Sequence, residues 1–260
     1  MSSARGYVPR SLAFPALVGL AFLILPLLAL IARVEWSTFV VDVTSPAALE
    51  ALGLSFGTGA AATVACILIG VPLALLIARS GPRLAAMLRA AVTVPLVLPP
   101  MVGGIALLYL FGRQGWLGGW GLSFTTPAVV VAQTFVALPF LVLAVEGAVR
   151  STGVDFERTA AALGAGRWTI LRRITLPLAA PGIVAGVVLC FARAIGEFGA
   201  TALFAGNRPG VTQTMPLAIY TAFNGAGVTQ GTAVALALLL LATAVLVLML
   251  VRGWRPGAAR

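Results

Sequence analysis

Six long apolar runs alternate with short polar connections along the 260 residues. They cover roughly 12–32, 54–78, 91–111, 127–147, 182–204 and 232–251. Each is near the ~20 residues that a helix needs to cross about 30 Å of hydrocarbon. The pattern therefore predicts one all-α domain over 1–260, with six membrane-spanning helices. One connection is unlike the others. Between the fourth and fifth runs lies a polar loop over 150–181, whose main part reads DFERTAAALGAGRWTILRRITLPLAAP from Asp155 to Pro181. It holds Arg158, Arg167, Arg172 and Arg173, with Arg150 just before it, and two of the seven acids.

The runs differ in their interruptions. The second is rich in small residues, and Gly53 and Gly57 have the small-xxx-small spacing that lets helices approach closely in lipid. That predicts close packing inside the subunit, with a seam between two copies as the alternative. The third reads VPLVLPPMVGGIALLYLF, and Pro95, Pro99, Pro100, Gly103 and Gly104 cannot all sit in an unbroken helix. Broken backbone at membrane depth is tolerated where protein buries it or where it lines a water-filled cavity, and the sequence leaves both open. The fourth run carries Gln133 and Pro139 and ends near Glu146. In the fifth, Arg193 and Glu197 are four apart and share a helix face. Charges at that depth face a bundle interior, a partner or water. Either the two neutralise each other for packing, or they line a path and Arg193 offers positive potential to a passing anion. Gly112 to Thr126, with Trp116 and Trp120, suits a turn at a membrane interface. Pro216 to Phe223 suits a small helix outside the bilayer, and Glu35, Asp42 and Glu50 read as acids on a solvated loop.

Composition sharpens the class. Apolar residues make up 60% of the chain, charged residues 9%, and the mean hydropathy is +1.07. Soluble domains carry about 25% charged residues, so this is a polytopic membrane protein in a lipid bilayer. The first run is about twice as long as a signal-peptide core and no A-x-A site follows it, which predicts a retained helix. With the N-terminus inside, thirteen arginines fall on inner segments and only Arg33, Arg113 and Arg208 on outer ones. The positive-inside rule then puts both termini in the cytoplasm. The net charge of +10 is accounted for by that asymmetry and by attraction to anionic lipid, not by nucleic acid.

The absences exclude chemistry. There is no histidine and no lysine. A Walker A loop needs its lysine at the phosphates, and a Ser-His-Asp triad needs its histidine. Two cysteines, Cys66 and Cys190, lie inside apolar runs and read as small hydrophobes. The expectation is a chain without catalytic residues, metal ligands or a cofactor of its own.

The polar loop reads as structure. Thr152-x-x-Asp155 has capping-box spacing, so a helix is expected to start there. FERTAAAL continues it, and Gly164 fits the left-handed position that ends it. Arg167 to Thr175 forms another turn or two, and Pro177 and Pro181 close the stretch. The product is a short helix across the inner mouth of the bundle.

Two stretches carry a resemblance. Gly164, nine residues, then Ile174-Thr-Leu176-Pro177 resembles the EAA-x3-G-x9-I-x-L-P loop of ABC-importer permeases. The leading half departs from it: Arg158, Thr159 and Ala160 occupy the Glu-Ala-Ala positions, and Glu157 stands one place early. The run ARAIGEFGATALFAGNRPGVTQTMPLAIYTAF, with VLPP at 97–100, is similar to the molybdate and tungstate group of type I importer permeases, sulfate permeases being related. The likeness spans most of 50–250.

The resemblance implies a type I importer fold in the prokaryotic cytoplasmic membrane. It implies partners: cytoplasmic ABC ATPase subunits that hold the ATP and Mg, a periplasmic or extracellular oxyanion-binding protein, and a second permease copy in a homodimer. Coupling to the ATPase would fall to Glu157, Arg158, Thr159, Ala160, Ala161, Leu163, Gly164, Ala165, Ile174, Leu176 and Pro177. The translocation path would involve Pro99, Pro100, Arg193 and Glu197. A sulfate or thiosulfate permease is the nearest alternative. A secondary anion transporter or channel is another, but the inverted repeats and extra intramembrane acids it would need are absent from the sequence. An integral-membrane enzyme is a third, against which the missing histidine counts.

Overall fold

The computed structural model describes residues 10–225 and 230–253. Arg5, Arg255 and Arg260, counted among the inner arginines, lie outside the described residues, as does Trp254. Every long element is a helix, as the apolar runs predict. A short 3-10 turn at Arg10–Leu12 leads into α1, Ala13–Ala32. Then come α2, Phe39–Val43, and α3, Pro46–Arg79, whose 34 residues extend the second predicted run at its start. Ser45 caps α3 by accepting from the Ala48 N–H.

The third run is not one helix. α4, Pro82–Val97, and α5, Pro100–Phe111, meet at a 110° bend. Leu98 and Pro99 are extended there, because a proline has no N–H for the preceding turn and holds the residue before it out of helical geometry. The fourth run is α6, Thr126–Ser151, with Pro139 inside it. Beyond it lie α7, Asp155–Ala162, α8, Arg167–Ile170, and a π turn at Leu171–Thr175 that passes directly into α9, Leu176–Ile195.

The fifth run is corrected at both ends. Pro177 and Pro181 were expected to close the loop, yet the helix runs without a stop from Arg167 to Ile195. The π turn explains Pro177. Leu176 N–H bonds the Leu171 carbonyl, five residues back, so the ladder is already offset where the proline lacks its donor. At the other end the helix stops at Ile195, and a separate helix α10, Gly199–Phe204, begins after the break. The last helices are α11, Met215–Asn224, which matches the predicted small helix, and α12, Gln230–Gly253.

Among the described residues, four helices are long and apolar enough to cross a membrane, five if the bent pair counts as one span, and α12 adds a shorter apolar stretch over Gly231–Leu246. The core forms where α3, α6 and α9 pack together. Ala62, Cys66, Leu141, Val145, Cys190 and Ala194 are fully buried in it, so both cysteines are core residues. The close approaches are not at Gly53 and Gly57, which have nothing within 4 Å of a would-be Cβ. They are at Gly59, where that Cβ would lie 2.9 Å from Ile195 Cγ1, and at Gly70, 2.8 Å from Leu138 Cδ1. The first-loop acids are not merely solvated either. Asp42 Oδ1 accepts from Thr232 Oγ1 at 2.8 Å, and the Glu35 carboxylate lies against Gly231, so the loop is pinned to the start of α12.

Candidate translocation path and coupling site

At one end of the bundle α7 projects beyond the core. Its start does not use the expected capping box. Thr152 is the C-cap of α6, and its hydroxyl donates back to the Val149 carbonyl at 2.9 Å. No side chain caps α7, but Asp155 and Glu157 lie in its first turn, where acids favour the helix dipole. Its end is as expected. Gly164 has φ +84°, its N–H bonds the Ala161 carbonyl and the Ala165 N–H bonds the Ala160 carbonyl, both at 3.0 Å. That pair of bonds is a Schellman motif. The outer face presents exposed Phe156, Leu163 and Trp168, with the Arg172 guanidinium 5.7 Å from the Trp168 ring centre. Arg158 and Thr159 are exposed with them, and the Thr159 hydroxyl donates to the Asp155 carbonyl at 3.0 Å.

Glu157 points the other way. Its Oε1 is 2.5 Å from an Arg79 guanidinium nitrogen at the end of α3 and accepts from Thr175 Oγ1 at 2.7 Å. Arg79 also donates to the Gly153 carbonyl at 3.4 Å. Behind α7 Glu157, Arg79 and Thr175, with Arg158 and Arg167, line a cleft of about 560 Å3. Ile174 lies in the π turn, and Leu176 and Pro177 open α9, so the Ile-x-Leu-Pro segment is the root of a transmembrane helix.

The second site is deep in the bundle. Glu197 is 1% exposed and sits between α9 and α10. Its Oε1 accepts from the Ala200 N–H at 2.8 Å, satisfying a free donor at the start of α10. Its Oε2 lies 2.7 Å from the Arg193 guanidinium, an ion pair at an angle that makes no hydrogen bond. The two broken spans meet here. A Cβ on Gly104 would lie 2.9 Å from the Ala200 backbone, and one on Gly199 3.0 Å from Pro100 Cβ. Pro99 and Pro100 thus form the bend that brings α5 against α10. Two apolar cavities open beside Gly196, one of about 320 Å3 between α9, α11 and α12 and one of about 400 Å3 between Phe198, α11 and α12. Neither Arg193 nor Glu197 lines them.

Residues 67–255 match the family described as binding-protein-dependent transport system inner membrane component. The chain belongs to that family. It is 53% identical over 219 residues to the molybdenum transport system permease protein ModB of Mycobacterium tuberculosis, covering 82% of this chain and 83% of that one. It is 39% identical over 191 residues to the ModB permease of Escherichia coli, covering 71% and 83%. Among solved structures, a bacterial alginate ABC transporter in complex with an alginate-bound periplasmic protein shares the fold. The TM-score is 0.72 at 18% identity, over 93% of this chain and 91% of that chain.

As a multi-pass membrane permease, the molecule contains charged and polar contacts between remote parts of the chain that sequence spacing did not reveal. Glu146, 3% exposed, is paired with Arg89 of α4 and, at 2.8 Å, with Arg150 of its own helix. Arg150 also donates to the Ile77 carbonyl at 3.4 Å, so the cluster clamps α3, α4 and α6. Arg79 and Thr175 are likewise partners of Glu157 from remote parts of the chain. Gln133 is fully buried with neither amide atom paired. Glu146 and Arg150 stand four apart, a spacing that favours a pair; for Arg89, Arg79, Thr175 and Gln133 the local signal was only their polarity inside or beside an apolar run.

Proposed function

We propose that this chain is the permease subunit of an ATP-driven importer of molybdate or tungstate. Six helices would form the path, with both termini cytoplasmic and a second copy completing a homodimer. α7 is then the coupling helix that meets the ATPase, which holds ATP and Mg. An oxyanion-binding protein delivers cargo on the opposite face, and the permease itself carries out no catalysis. The carrying observation is the α7 end. The helix closed by a left-handed glycine and the start of α8 after it present exposed Phe156, Leu163 and Trp168, apolar surface of the kind that marks a protein contact. The names of the mycobacterial and enterobacterial relatives support the cargo, and the periplasmic protein of the alginate transporter supports delivery in trans.

In mechanism, ATP draws the ATPases together, α7 follows, and the helices exchange an inward for an outward opening. The permease contributes differential contacts in the two states. Arg193, quarter-exposed beside the break, offers the anion positive potential while Glu197 keeps the empty site neutral. The test is purification from native membranes followed by reconstitution. An ATPase is expected to co-purify, and labelled molybdate uptake is expected to require ATP and resist excess sulfate. Recovery of no ATPase overturns the importer reading, and sulfate uptake equal to molybdate uptake overturns the cargo.

A further inference from the structure

Glu157 precedes the position at which the resembling loop carries its glutamate, and here its carboxylate is turned into the protein. We infer that Glu157, Arg79 and Thr175 form a joint that transmits movement of α7 to α3 and α9 together. This rests on α7 being the coupling helix and assigns Glu157 an internal partner instead of one on the ATPase.

Three observations carry the inference. First, one oxygen, Glu157 Oε1, takes both contacts, 2.5 Å from Arg79 and 2.7 Å from Thr175 Oγ1. Three elements therefore meet at one atom. Second, the Thr175 hydroxyl does not bond back along its own helix, as several threonines of the chain do. Thr58, Thr63, Thr134 and Thr159 all donate to the carbonyl four residues back. Thr175, buried at the last position of the π turn, donates to Glu157 instead. A π turn is a strained insertion that recurs at functional sites, and here it sets the one hydroxyl that reaches α7. Third, the pair is too exposed to matter much for stability. The Arg79 and Glu157 side chains are 31% and 21% exposed, and such pairs contribute little. What they fix is position.

The joint has a defined far end. α9 is 20 residues long, about 30 Å at 1.5 Å per residue, and ends at Ile195 where the break begins. α3 reaches the same place, because Gly59 packs on Ile195. Both helices held by Glu157 thus converge on the residue before Gly196 and Glu197. A contiguous packed route between two sites is what coupling requires, and mutation along it tests whether coupling follows.

The experiment uses the complete transporter with its ATPase and binding protein in proteoliposomes, reading anions imported per ATP and the amount of bound ATPase. Glu157→Gln and Arg79→Gln are each expected to keep the ATPase bound and to lower the import ratio about fivefold, the low end of couplings between linked sites. The double variant is expected to be no worse than either single one. Thr175→Val is expected to lower the ratio and Thr175→Ser to keep it. An unchanged ratio in Glu157→Gln, additive losses in the double variant, or loss of bound ATPase overturns the joint. A wild-type transporter without ATP-driven import overturns the functional reading itself, so the two failures are told apart.

Discussion

The α7 joint and the α9–α10 break are built from the same parts: a glutamate, an arginine and one further donor. At the joint these are Glu157, Arg79 and the Thr175 hydroxyl; at the break, Glu197, Arg193 and the Ala200 N–H. They differ in reach and in depth. Glu157 gathers groups 78 and 18 residues away, whereas Glu197 uses only neighbours three and four residues off. Glu157 keeps 21% of its side chain exposed and Glu197 1%. A long-range carboxylate at a wet edge holds elements in register, and water can replace either partner. A local carboxylate in the bundle interior makes a break in a helix tolerable, and nothing replaces a partner that is lost.

The sharpest test of that difference is Arg193→Ala. It leaves Glu197 buried beside a single N–H donor. Removing one member of a buried ion pair costs about 3–5 kcal/mol. Uptake of labelled molybdate is expected to fall by about 100-fold, the equivalent of roughly 3 kcal/mol, with the ATPase still recovered in a pull-down. Assembly lost together with uptake would make the pair a packing device and erase its contrast with the joint.

A smaller effect is expected from Gly104→Ala. The new methyl would lie 2.9 Å from Cα and the carbonyl oxygen of Ala200, both backbone atoms that cannot rotate aside. Overpacking of this kind costs about 1–3 kcal/mol. Thermal melting of the purified permease is expected to drop by several degrees, and transport about tenfold. Gly59→Ala is the control, since its methyl would meet only the Ile195 side chain at that distance. Equal losses in the two variants would mean that the α5–α10 contact is not specially tight.

How legible each region was follows from the same contrast. The break was half-readable: Arg193 and Glu197 stand out in an apolar run, and their spacing predicts the pair. The end of α9 was missed because GEFGATALF continues the hydrophobicity past it, although an acid three residues before Ala200 is the pattern of a helix start. The bend at Pro99 and Pro100 was readable as a broken helix because proline acts locally. The joint was not readable, since no spacing relates Arg79 to Glu157. The clamp of Glu146 by Arg89 is equally remote, 57 residues apart. Pro177 misled for a different reason. It reads as a stop wherever the ladder is regular, and the π turn had already offset the ladder.

The least disruptive variant bears on the joint side of the comparison. Gly164 closes α7 at φ +84°, and a Cβ there would meet nothing within 4 Å. Sterics therefore admit any side chain, and only backbone geometry selects glycine. A β-branched residue resists the left-handed region, at about 1–2 kcal/mol. Gly164→Val is expected to fray the Schellman turn and loosen the segment joining α7 to α8, while leaving the membrane core intact. Thermal melting of the core is expected to stay within a few degrees of wild type, and imported anions per ATP to fall about fivefold, as for other couplings of this size. Gly164→Asn, which adopts the left-handed conformation more readily, is expected to retain most of the coupling. If valine couples as well as glycine, the turn does not position α7, and the register of the joint must come from Glu157 and its two partners alone.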